Sequence, residues 1–207
     1  MIRMSDINLN YFFLETKCNK CQKIVYSRSL IVNGYGDPDA KLMFVGMAPG
    51  RNGADITGVP FTRDPSGVLF QECMIHAGFS LEHNSKCEHP DLKGVYVTNL
   101  VKCNPKDENG NNRTPSIEEI ENCAPHFQKE LEEIDPTLIV LFGKLVSEYI
   151  LKQKISKFNT YHNQAIQRNN RIFIPFIHPS YVIRGAYDRK KYIDEIVGLK
   201  RLLKNGQ

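Results

Sequence analysis

Apolar residues fall in short runs separated by polar, turn-rich stretches. Residues 41–46 (KLMFVG) form a brief apolar run ending in glycine, the pattern of a strand buried on both faces. Residues 95–101 (VYVTNLV), 138–142 (LIVLF) and 171–177 (RIFIPFI) repeat it. Between these runs the period becomes helical. Ser66 is positioned to cap a helix with the stripe Val68, Leu69, Cys73 and Met74 that stops near Gly78. Ser116 with Glu119 forms a capping box ahead of Ile117, Ile120, Phe127, Leu131 and Ile134, and Pro125 is expected to kink or divide that helix. A further helix is expected over 144–152, and a basic amphipathic one from about Arg189. Four apolar strands alternating with helices predict an α/β three-layer sandwich around a mainly parallel four-stranded sheet. Reactive groups in such sheets gather beyond the carboxyl ends of the strands. Three polar segments sit at those ends: the loop after Gly46, residues 99–102, and His178-Pro179-Ser180.

The chain has 207 residues, 41% of them hydrophobic, which suits one domain over 1–207, with residues 1–40 as an N-terminal segment. No stretch approaches the roughly 20 apolar residues of a membrane span, and the N-terminus lacks the apolar centre of a signal peptide. The expectation is a soluble, cytoplasmic monomer with no membrane partner. A net charge of +4 permits a nucleic-acid partner without demanding one.

Six cysteines in such a chain point to metal or cluster binding before disulfides. Cys18 and Cys21 are a C-x-x-C pair; Cys103 follows the second strand and Cys123 lies on the capped helix. Four thiolates suit tetrahedral zinc or a [4Fe–4S] cluster, and a lone C-x-x-C does not separate a metal site from buried free cysteines. Cys73 falls on its helix's apolar stripe and reads as core. Cys87, beside His83 and His89, reads as a surface loop rather than a second metal site.

Residues 46–67 read GMAPGRNGADITGVPFTRDPSG. Their glycines admit close approach of backbone to a ligand, Phe61 offers a flat face to a base, and Asp55 and Asp64 are carboxylates able to act on water or on a sugar cation. The loop resembles the first motif of the uracil-DNA glycosylase superfamily and is closest to family V (type B), whose loop runs GLAPGxxGxNxTGxPFTGDxSG. VYVTNLVKCNP, NNRTPSIEE and HPSYVIR (residues 178–184) look more like the iron–sulfur family IV enzymes. The chain departs from both: Asp55 replaces the family V Asn, Arg63 its Gly, Asn99 an apolar residue, and Met47 the family IV Glu.

The resemblance implies a DNA glycosylase that flips a base out of DNA and hydrolyses its N-glycosidic bond, with uracil or another deaminated base in base-excision repair as substrate. It assigns Cys18, Cys21, Cys103 and Cys123 to a [4Fe–4S] cluster. Phe61 is expected to stack on the base, with Gly46 and Ala48 in a pocket lined by backbone of residues 46–49. Asn99 is expected to bond the pyrimidine edge, and His178 to donate toward the pyrimidine O2. Asp64, with Asp55 as second candidate, is to position water or stabilise the sugar cation, and Ser180 and Arg184 to hold DNA phosphates. Two alternatives stand beside this. One is removal of a hypermodified pyrimidine from bacteriophage DNA as antiviral defence, motivated by Asp55 and Arg63. The other is a DNA-binding protein without catalysis.

Overall fold

The computed structural model describes residues 17–204. In chain order it contains α1 (Gln22–Val25), β1 (Tyr35–Gly36), β2 (Leu42–Gly46), α2 (Ala54–Thr57), α3 (Pro65–His76), β3 (Val95–Asn99), α4 (Ile117–Ile134) and β4 (Leu138–Phe142). There follow α5 (Lys144–Leu151), a 3-10 turn (Phe158–Thr160), β5 (Ile166–Arg168), β6 (Arg171–Phe176), α6 (Pro179–Ile183) and α7 (Arg189–Lys204).

The strands form one sheet in the order β1-β3-β2-β4-β6-β5. The four expected strands are its parallel centre, with Leu42 opposite Val95 and Leu138, and Leu138 opposite Ile172. The expected count of four is corrected to six. β1 and β5, two and three residues long, pair antiparallel to β3 and β6 at the two edges. Neither carries an apolar run, because two and three residues are too few to form one, although Tyr35 and Ile166 each pack against the core.

Alternation along the strands splits the core in two. Leu42 and Phe44 face a cluster with Leu69, Phe70 and Met74 of α3, Val182 of α6 and Tyr192 and Ile196 of α7. Met43 and Val45 face the other side, with Phe127 and Ile134 of α4 and Val146 and Leu151 of α5. Both strand faces are apolar because helices cover both, giving three layers. The capping box of α4 is present, Ser116 Oγ accepting from Glu119 N at 3.2 Å and Glu119 Oε2 from Ser116 N at 2.8 Å. This helix runs unbroken through Pro125, so the expected division does not occur. Pro125 lies on the exposed side, so the carbonyl that its missing N–H leaves unpaired is not shut into the core.

The loop leaving β2 leads to α3 on one face, while the loop leaving neighbouring β4 leads to α5 on the other. Adjacent strands whose connections part to opposite faces leave a crevice between their carboxyl ends.

Candidate active site

That crevice is a cleft of about 670 Å³. Met47, Ala48, Pro49 and Gly50 after β2, Asn99 at the tip of β3, Phe142, Gly143 and Leu145 around the end of β4, and His178 after β6 all line it, with Phe61 and Asp64 from the long loop. Ser180, Tyr181 and Arg184 complete one rim, and Asn104, Asn112 and Arg113 the other.

Asp64 performs two tasks. It is the N-cap of α3 in place of the expected Ser66, its Oδ1 accepting from Gly67 N at 2.8 Å. Pro65 occupies the first helical position, where its missing N–H costs nothing, so the residue before it becomes the cap. Its Oδ2 lies over the loop glycines: a Cβ on Gly50 would stand 2.9 Å from it, and one on Gly53 2.6 Å. Burial pushes its pKa above the ordinary carboxylate value, opposed by backbone donors of Gly67 and Ser66.

Phe61 holds a left-handed backbone at φ 53°, and Arg63 does so at φ 68°. The Phe61 carbonyl accepts from Gln71 Nε2 at 3.0 Å, and the same amide nitrogen donates to Tyr35 Oη at 2.8 Å. The edge strand β1 is thereby tied to the loop. The Phe61 ring packs 5.0 Å from Phe70, 5.2 Å from Phe142 and 5.8 Å from the His178 imidazole. Gly46 forms the floor beneath: an added Cβ would lie 2.3 Å from Asn99 Oδ1 and 2.8 Å from Phe61 Cζ. Asn99 itself is buried, and among the described residues its side-chain amide makes no hydrogen bond, leaving a donor and an acceptor in the cleft.

His178 caps α6. Its Nδ1 accepts from Ser180 N at 3.1 Å and lies 2.9 Å from Ser180 Oγ. An Nδ1 that accepts must be unprotonated, so these bonds assign the neutral ring's proton to Nε2. Burial, helped by the Arg184 charge, pushes the His178 pKa down to about 4. The ring is therefore a neutral donor near pH 7.

Asp55 and Arg63 face elsewhere. The Asp55 carboxylate is fully buried, accepting from Ser29 N at 3.0 Å and Ser29 Oγ at 2.9 Å, with Lys106 Nζ at 2.8 Å. It clasps the N-terminal segment and does not line the cleft. Arg63 pairs with Glu88 at 3.0 Å on the surface. Of the cations in and after the HPSYVIR segment, Arg189 bonds Glu72 and Lys191 lies over the Tyr187 ring, whereas Arg184 sits over Tyr181 at the rim, 4.9 Å from the ring centre. Asn104, Asn112, Leu145 and Tyr181 are rim residues that motif reading did not single out. Of these, only Leu145, three residues past an apolar strand, carries a positional signal in the sequence.

The thiols of Cys18, Cys21, Cys103 and Cys123 are free and lie within electrostatic reach of one another. Burial pushes the Cys21 and Cys103 thiols up and Cys123 to about 11. Arg28 Nη1 donates to Cys103 Sγ at 3.3 Å, and Lys102 N to Cys123 Sγ at 3.2 Å. Cys103 belongs to an apolar cluster with Ile24, Val101 and Ile120, against which Cys21, Cys123 and the cleft-wall residues Met47 and Ala48 pack. Four free thiols from three segments, two of them supplied with N–H donors of which one is a guanidinium, fit a thiolate-bound metal group as a donor set. Among the described residues no three His, Cys, Asp or Glu side chains converge on a single metal ion. Cys73 is core, its thiol pushed up to about 12 by burial, and Cys87 is half-buried and unpaired by disulfide.

Residues 33–198 match the uracil DNA glycosylase superfamily. The chain belongs to that family. This superfamily member is 30% identical over 194 residues to a type-4 uracil-DNA glycosylase of Saccharolobus solfataricus, covering 90% of this chain and 82% of that one. It is likewise 30% identical to the type-4 enzyme of Archaeoglobus fulgidus, over 89% of this chain and 90% of the relative. A type-5 uracil-DNA glycosylase of Pyrobaculum aerophilum is 31% identical over 65% of each chain. The similarity to the two type-4 enzymes runs through most of the superfamily member's length, beyond the segment shared with this type-5 enzyme. No helix among the described residues is long and apolar enough to cross a membrane.

Proposed function

We propose that this protein, a DNA N-glycosylase by family, excises uracil from DNA and leaves an abasic site. The observation that carries the reading is the common cleft of Phe61, Asp64, Asn99 and His178. Those four side chains answer the needs of N-glycosidic hydrolysis. An extruded base, which costs a few kcal/mol to unstack, stacks on Phe61. The free amide of Asn99 meets both a donor and an acceptor on the pyrimidine edge. As the C1′–N1 bond lengthens, negative charge collects on the departing base, and the Nε2–H of His178 donates to its O2. Aiming a fixed donor at charge that develops in the transition state is usually the largest catalytic term. Asp64, through the Oδ2 not engaged by the cap, stabilises the sugar cation and orients the attacking water. Ser180 and Arg184 supply phosphate contacts at the rim, which position the duplex without reading sequence.

The four cysteines would hold a [4Fe–4S] cluster. Such a cluster spreads its thiolates wider than the ligands of a lone zinc ion, so convergence on a single ion is not what this reading requires. Held by these residues, it would tie the N-terminal segment of Cys18 and Cys21 to Cys103 beyond β3 and to Cys123 on α4. The protein's own residues perform the hydrolysis.

Removal of a hypermodified pyrimidine loses its motivation, since Asp55 and Arg63 are both engaged away from the cleft. The binding-only reading is disfavoured by a complete set of reactive side chains around one cavity. Incubation with oligonucleotides bearing a panel of bases, followed by alkali, tests the proposal. Strand breaks at uracil are expected. Breaks at none of the bases would overturn it.

A further inference from the structure

Lys102 is a buried lysine whose ammonium the chemistry of the cleft does not use. Its side chain is 1% exposed, and that of its partner Glu130, from α4, is 5% exposed. The ammonium's three donors all find acceptors: Glu130 Oε2 at 2.5 Å, Thr98 Oγ1 at 2.6 Å and the Asn99 carbonyl at 2.7 Å. Glu130 is satisfied in turn, its Oε1 accepting from Gly34 N at 3.0 Å and its Oε2 from Thr98 Oγ1 at 2.6 Å. Replacing a buried ion pair by apolar residues is often neutral for stability or favourable, so this pair calls for a reason other than holding the fold together.

Its location supplies one. Successive residues of β3 point to opposite faces, Thr98 toward α4 and Asn99 into the cleft. Leu100 N and Val101 N continue along β2, donating to Gly46 O at 3.0 Å and Met47 O at 2.9 Å. The Asn99 carbonyl instead turns to Lys102. We infer that Lys102 is a positioning residue for base recognition: its ammonium, oriented by Glu130 and Thr98, fixes the Asn99 peptide so that the amide stands ready in the cleft. The backbone N–H of the same residue donates to Cys123 Sγ, so one residue links the thiol cluster to the base pocket. The inference rests on the reading of Asn99 as the group that bonds the base.

Lys102→Met alone would strand a buried carboxylate, so the test uses Lys102→Met with Glu130→Gln, which keeps an acceptor for Gly34 N. Free uracil should bind this holoprotein about tenfold more weakly, the value of one lost charge-assisted hydrogen bond, and single-turnover excision should slow in step. Affinity for abasic DNA and the visible absorbance should stay at parental levels. In an Asn99→Ala background the same pair should change the excision rate less than about twofold, because residues acting through one group are not additive. Uracil affinity within twofold of the parent, or a loss that multiplies with that of Asn99→Ala, would overturn the inference. Should the double variant not fold, Thr98→Val removes one acceptor and no charge. It should weaken uracil binding severalfold, and unchanged binding would count against the role equally. A parent protein that neither binds nor releases uracil would instead defeat the uracil reading itself, so the two failures are distinguishable.

Discussion

Asp55 and Asp64 sit nine positions apart on the segment between β2 and α3, yet their carboxylates serve different sites. Asp55 is buried against Ser29 and Lys106, whereas Asp64 stands over Gly50 and Gly53 inside the cleft. Substitution should separate their roles. Asp64→Asn preserves the helix cap, since asparagine caps as well as aspartate, and should lower the excision rate by about 10²–10⁴-fold with an unchanged melting temperature. Asp55→Ala takes the carboxylate from Lys106, which keeps only the Ser27 carbonyl, and strands the Ser29 donors; it should cost about 3 kcal/mol of stability, read by denaturant titration. Comparable activity losses with no difference in stability would remove the distinction.

The pH profile follows from the same carboxylate. Asp64 acts ionised, and burial raises its pKa, so excision should fall on the acid side at a pH above that of an ordinary aspartate. Asp64→Asn should abolish that limb along with most of the rate.

His178 sets a different window. Its pKa is about 4 in the fold against an ordinary 6.5, so between those values the unfolded chain holds more protons on this group. Stability should therefore decline as pH falls from about 6.5 toward 4, and His178→Gln should flatten that part of the curve. No histidine limb near pH 6.5 should appear in the rate, because the ring is already neutral there.

Gly46→Ala places a methyl against Asn99 and Phe61. Excision should be lost, while binding to an abasic duplex, which needs no room for a base, should persist. Equal loss of both would mean that the substitution disturbs more than the floor.

Cys103→Ser removes one of the four thiols and the acceptor of Arg28. Visible absorbance and iron content should drop and the melting temperature should fall. Unchanged iron would reject the four-cysteine assignment.

Much of this was legible in the sequence, for reasons that differ by element. The runs KLMFVG, VYVTNLV, LIVLF and RIFIPFI stand out because helices cover both faces of their strands. Tyr35–Gly36 and Ile166–Arg168 do not, since an edge pair is made by its neighbour's hydrogen bonds rather than by an apolar pattern of its own. Asn99 and His178 reach the cleft from strand ends, and Phe61 and Asp64 are carried into it on the long loop that leaves β2. Asp55 misled for a physical reason: spacing reveals a carboxylate on the loop, but its partners lie 26 and 51 positions away, at Ser29 and Lys106. Lys102 was likewise invisible, because a lysine after an apolar run looks like a solvated terminus until α4 brings Glu130 against it.

The left-handed backbone at Phe61 and Arg63 carries a consequence for how the protein ages under heat. Two non-glycine residues in that region cost about 1–3 kcal/mol each and persist only while surrounding contacts enforce them. For Phe61 those contacts come from Gln71, Phe70 and Phe142, on two different elements. The aromatic platform is thus expected to relax ahead of the helices, so warming should silence the enzyme before circular dichroism registers any loss of helix.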